Sequence, residues 1–151
     1  MSVFMIRSDS DRDEILSELN SQPSSIMHIN RSFKSDPIIA MTAVKSYGGN
    51  FTQINDSFKD DFEFMLENYI EFKCSSERLK NNEYFISRAL KKYRDNDPDV
   101  FHEESNKGMI LDYIHDDILN YIRSLEGKDL DEKIDSFILI NDTKHKVKRA
   151  R

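Results

Sequence analysis

Residues 29–36 read Ile-Asn-Arg-Ser-Phe-Lys-Ser-Asp and residues 54–61 read Ile-Asn-Asp-Ser-Phe-Lys-Asp-Asp, six identities in eight at a spacing of 25 residues. An internal repeat of this period constrains the fold more than any other feature. Units of such size are single supersecondary elements that bury their apolar faces by stacking on their neighbours. A looser third copy follows 21 residues later as Ser76-Glu77-Arg78-Leu79-Lys80-Asn81-Asn82.

Each copy has a mechanical logic. Asp36, Asp61 and Asn82 stand immediately before a helical pattern, where a short acceptor side chain satisfies the unpaired amides of the first turn. Pro37 after Asp36 suits the first helical position, which needs no N–H. In the second copy Phe62, Met65, Leu66, Tyr69 and Ile70 fall at i, i+3, i+4, i+7 and i+8, an apolar stripe facing a core. Ile86, Ala89, Leu90 and Tyr93 do the same in the third. Phe33, Phe58 and Leu79, ahead of the caps, are expected to plug the groove between successive helices.

The flanks read as helical too. Asp11 with Glu14 and Asp129 with Glu132 form capping boxes ahead of apolar residues. Between them the longest helix is expected from about Lys107 to Leu125, with Gly127 as its terminator. Charged residues make up 33% of the chain and there are only four Gly and three Pro, which disfavours a design of short strands and tight turns. The expectation is an all-α fold: stacked short helical repeats followed by a long helix and a C-terminal helix. One domain is expected over 1–143, in a chain of 151 residues. The repeats run at about 29–53, 54–75 and 76–95, and 144–151 is a basic, disordered tail.

The matching residues Phe33-Lys34-Ser35-Asp36 with Ala43-Val44-Lys45, Phe58-Lys59-Asp60-Asp61, and Leu79-Lys80-Asn81-Asn82 with Ala89-Leu90-Lys91 resemble a family of short helical repeats of unknown function. Its units read Leu-Lys-Asn-Asp, then an acidic and apolar helix ending in Ala-Val-Lys. The resemblance covers roughly residues 29–93. It implies a helical array of a kind found in bacteria, protists and large viruses, and it supplies no catalytic residues. The second copy departs from it, with Asn68-Tyr69-Ile70 where the family has Ala-Val-Lys.

Chemistry-bearing residues form no known constellation. His28, His102, His115 and His145 make no i, i+4 pair for zinc. Asp95-Asn96-Asp97-Pro98-Asp99 alternates acids like a calcium loop, but Val100 and Asn106 stand where Gly and Glu are needed, so a plain inter-helix loop is expected. Tyr47-Gly48-Gly49-Asn50 lacks the Lys-Ser or Lys-Thr of a phosphate loop. Cys74, the single cysteine, cannot form an internal disulfide and receives no role, which fits an intracellular, cytoplasmic setting. No stretch is long and apolar enough for a membrane span and Met1–Ile6 lacks a signal-peptide core. The reading is therefore of a non-enzyme with no cofactor and no metal.

Charge suggests partners instead. Net charge is −6, but Lys144, Lys146, Lys148, Arg149 and Arg151 put +5 on residues 144–151, leaving −11 on the rest. The acidic clusters Asp60/Asp61/Glu63 and Asp129/Asp131/Glu132/Asp135 would suit a basic protein surface. The expected function is a protein–protein interaction module, in one version a phage, viral or effector-type acidic inhibitor of a host nucleic-acid-binding protein. The rivals are direct nucleic-acid binding through the basic tail and a small enzyme with an unfamiliar site.

Overall fold

A computed structural model of the protein describes residues 11–29, 31–98 and 104–149. Arg151, His102, Asp99, Val100, Asn30 and the Met1–Ile6 patch lie outside them. The fold is all-α: among the described residues every regular element is an α-helix or a 3-10 helix, and no helix is long and apolar enough to cross a membrane. The chain divides into two compact units, 1–59 and 60–151.

In the first unit, α1 (Arg12–Ser21) is capped by Asp11, whose carboxylate accepts from the Glu14 amide at 2.9 Å. α2 (Pro37–Ser46) is capped by Asp36, which accepts from the amides of Ile38 and Ile39 at 2.9 and 3.2 Å. The two helices pack together around Ile15, Leu19, Ile26, Ile29, Ile39 and Ala43, with Phe33 against this cluster as an anchor. A 3-10 helix follows each of them, Pro23–His28 after α1 and Gly48–Thr52 after α2. Asn50, 4% exposed, joins the pieces: its side-chain amide donates to the Pro23 and Ala43 carbonyls at 3.0 and 2.9 Å.

The period therefore extends upstream of the motif that reveals it. Asp11 caps α1 25 residues before Asp36 caps α2, and Asp61 follows another 25 residues on. The upstream unit escapes a sequence comparison because its preserved parts are a cap and a helix-to-3-10 course, which many side chains can build.

In the second unit, α3 (Phe62–Glu67) is capped by Asp61 and passes into a 3-10 helix, Tyr69–Cys74. α4 (Glu77–Lys80) and α5 (Glu83–Asn96) follow, capped by Ser76 and Asn82. Then come α6 (Glu104–Leu111), α7 (Asp116–Ser124) and α8 (Leu130–Arg149). α5 is central: α3, α4, α8 and the 3-10 helix Tyr69–Cys74 all pack on it, and α7 packs on α8. Phe85 faces Phe62 and Phe72 at ring separations of 5.3 and 5.7 Å. Leu79, Ile86, Ala89, Leu90, Ile122, Ile134 and Phe137 are fully buried.

Several expectations need correction. The helix expected over Lys107–Leu125 is broken at residues 112–115, and α8, with 20 residues, is the longest helix among the described residues. His115 has extended backbone and its Nδ1 accepts from the Asp117 amide at 3.2 Å, so it caps a new helix. Ile110, Ile114, Ile118 and Ile122 keep a four-residue spacing across the break and all are buried, so periodicity cannot show the interruption. The residues expected as a disordered tail are helical through Arg149. Their cations sit at the negative end of the helix dipole, a favourable placement, and His145 stacks on Tyr84 of α5 at 4.0 Å with planes 7° apart. Finally, α3 stops at Glu67, so Tyr69 and Ile70 leave the expected stripe and Ile70 is exposed.

Between α7 and α8, Gly127 has φ +152, and a Cβ there would lie 2.8 Å from the Lys133 nitrogen. The turn at this point needs glycine.

Candidate functional site

The acidic clusters are built largely into the scaffold. The Asp60 carboxylate accepts from Ser76 Oγ at 2.6 Å and from Arg78 Nε at 2.8 Å, and these hydrogen bonds hold its pKa below the ordinary value. Asp61 caps α3, accepting from the Phe64 amide at 2.8 Å. Asp129 accepts from the Glu132 amide at 3.0 Å, and Glu132 reaches back to the Lys128 amide at 2.6 Å. Asp135 pairs with Arg94 of α5. Asp131 is half-buried and Glu63 is exposed on the first turn of α3. The two clusters thus take different local partners, and most of their charge is spent starting or tying helices.

The basic residues are placed differently. Lys144, Lys146, Lys148 and Arg149 are all exposed on the last turns of α8. On that helix the inner face carries Ile134, Phe137, Ile138 and Asn141, all buried, whereas Leu139 is 68% and Val147 51% exposed. Leu139, exposed Thr143 and Val147 stand at i, i+4 and i+8 and so form one outer face. The spacing is visible in the sequence, but a tail read as disordered offers no helix face on which Val147 could line up with Leu139.

Beside the α5–α8 contact a groove of about 260 Å³ is lined by Asn82, Glu83, Tyr84, Asn141, Lys144, His145 and Lys148. It brings a histidine, a carboxylate and two ammonium groups together, the requirement for reviving an enzymatic reading. No nucleophile is hydrogen-bonded to a base there among the described residues; the His145 ring is engaged by stacking on Tyr84.

Other candidates resolve into structure. Asp97 ends α5 and accepts from the Tyr69 hydroxyl at 3.0 Å. Burial and this bond push the Tyr69 pKa up to about 12, so the phenol stays protonated. Helix α5 also absorbs Asp95 and Asn96, which the sequence assigned to a loop. Among the described residues no group of three or more His, Cys, Asp or Glu is placed to hold a metal ion. One acidic residue escaped sequence reasoning: Glu18 of α1 is 5% exposed, and its Oε1 has no hydrogen-bond partner among the described residues. Its place in a helix rich in acids hid it.

No family model, no curated protein and no solved structure matches this chain.

Proposed function

We propose that the protein is a non-enzymatic interaction module that docks a protein partner along the outer face of α8. The observation that carries this is the exposure of Leu139 and Val147 in line on a helix whose inner face is buried from Ile134 to Asn141. Lys144, Lys146 and Lys148 border the stripe. Apolar anchors bracketed by cations suit an acidic amphipathic helix, which buries its apolar side and pairs its rim charges. The acidic-inhibitor version draws less support, because Asp60, Asp61, Asp129 and Asp135 are engaged within the chain. The resemblance to short helical repeats and a viral or effector origin remain part of the proposal, with the partner then belonging to a host cell.

The four exposed cations within the last turns of α8 favour one second reading, nucleic-acid contact through phosphates. The readings separate experimentally. A photo-crosslinking residue at position 139 should trap one protein, while the same residue at exposed Met27 should not. Leu139→Asp with Val147→Asp should abolish capture without lowering the melting temperature. Capture unaffected by those substitutions would remove the proposal. Salt-sensitive duplex binding lost in Lys144→Glu with Lys148→Glu, with no protein trapped, would install the second reading.

A further inference from the structure

An open polar cleft of about 700 Å³ lies in the first unit between the 3-10 turn Arg31–Ser35 and residues 52–56. Its chemistry follows from comparing two copies of the repeat. In the second copy the first and fourth positions of the turn are Asp56 and Lys59, which pair at 2.9 Å. In the first copy those positions are Arg31 and Lys34. Side chains at i and i+3 eclipse on a 3-10 turn, so an attractive pair in one copy becomes two adjacent like charges in the other. The nearby carboxylates are taken: Asp36 by Arg12 at 2.9 Å and by two amides, Asp56 by Lys59. Among the described residues neither Arg31 nor Lys34 has an acidic partner.

We propose that this cleft binds a phosphate group, free or as a small phosphomonoester, between the Arg31 guanidinium and the Lys34 ammonium. A guanidinium fork matches two phosphate oxygens, and an ammonium adds a point charge. Asn55 organises the floor. Its Oδ1 accepts from the Ser57 amide at 2.9 Å, which turns its Nδ2 to Ser35 Oγ at 3.2 Å. Ser35 is the acceptor in that bond, so its own O–H is available to donate to an anion. The Asn55 amide donates to the Lys34 carbonyl at 3.3 Å and ties the two walls together. The Asp56 carboxylate also lines the cleft, and Lys59 neutralises it. Among the described residues no aromatic ring lines the cleft, so a nucleobase would find no stacking surface among them, which favours the phosphate itself or a sugar phosphate.

The test titrates the full chain with orthophosphate and, separately, with a sugar phosphate, at ionic strength held constant with chloride, reading heat and melting temperature. Saturable binding that raises the melting temperature is expected. Arg31→Gln and Lys34→Gln should each weaken it by roughly ten- to a hundredfold. Arg31→Asp, which gives the first copy the charge pair of the second, should abolish binding while the phosphate-free melting temperature holds or rises. Equal affinity for the two ligands would assign the site to phosphate alone, and tighter binding of the ester to an organic source. Absence of saturable binding, or binding that survives both Arg31→Gln and Arg31→Asp, would overturn the proposal. These variants lie far in sequence from α8 and leave the docking face there unaltered.

Discussion

The first and second copies of the repeat begin alike and end differently. A 3-10 turn, a half-buried phenylalanine and an aspartate cap lead into α2 and into α3, yet α2 has ten residues and α3 six. The residue 25 positions after fully buried Ala43 is Asn68. Asn68 is 6% exposed, and its side-chain amide donates to the Phe64 carbonyl at 2.9 Å while its backbone amide turns to Met65 at 3.1 Å. The side chain thereby replaces its own backbone at the i−4 carbonyl, and the chain drops into the 3-10 helix Tyr69–Cys74. The shared motif governs where helices start. Where they stop is decided by residues private to each copy.

The anchors provide the largest test of that contrast. Leu79 is fully buried, whereas Phe33 and Phe58 are half-buried. Leu79→Ala should cost about 2–5 kcal/mol in urea unfolding, more than Phe33→Ala or Phe58→Ala; equal costs would show that the anchors act identically despite their burial. Next comes Asn68→Ala, which takes the side-chain donor from a buried carbonyl and should cost about 1–3 kcal/mol. Gained helix content by circular dichroism with unchanged stability would instead mean that Asn68 merely blocks a helix ready to continue. Smaller again are the caps. Asp36→Ala and Asp61→Ala should each cost about 0.5–2 kcal/mol. Asp36 should be the costlier, since it accepts from two amides and from Arg12, while Asp61 accepts from one.

Sequence legibility follows the same division. Asp11, Asp36, Asp61, Asn82 and Asp129 could be recognised as caps because capping is local: one short side chain, two or three residues from the amides it serves. The break at residues 112–115 could not, because His115 is an uncommon cap and the isoleucines keep their spacing through it. The helical end of α8 meets its stacking partner, the Tyr84 ring of α5, 61 positions from His145 in the chain, a contact that local sequence does not display. The acidic clusters misled for a related reason. A carboxylate that caps a helix and one that awaits a partner look alike in sequence, and only the amide facing Asp61 or the guanidinium facing Asp60 tells them apart. The cleft at Arg31 and Lys34 was within reach, since the two copies differ there in the sign of one charge.

The smallest effect separates the charge of the first cap from its geometry. Burial pushes the Asp36 carboxyl up, but hydrogen bonds from Arg12, Ile39 and Ile38 outweigh it and hold its pKa below the ordinary value. A carboxyl that is more acidic folded than unfolded adds stability above its unfolded pKa, about 3.9. That contribution is lost as pH falls through the lower folded value. Asp36→Asn keeps a side-chain acceptor for the helix amides and removes the titration. Its stability deficit against the natural chain should therefore be greatest near neutral pH and shrink below about pH 4. Arg12 is 45% exposed in its side chain, so solvent screens the pair and the deficit should stay within about 1 kcal/mol. A deficit that persists undiminished in acid would mean that Asp36 acts through the shape of its cap, in which case the first and second copies start their helices by the same means.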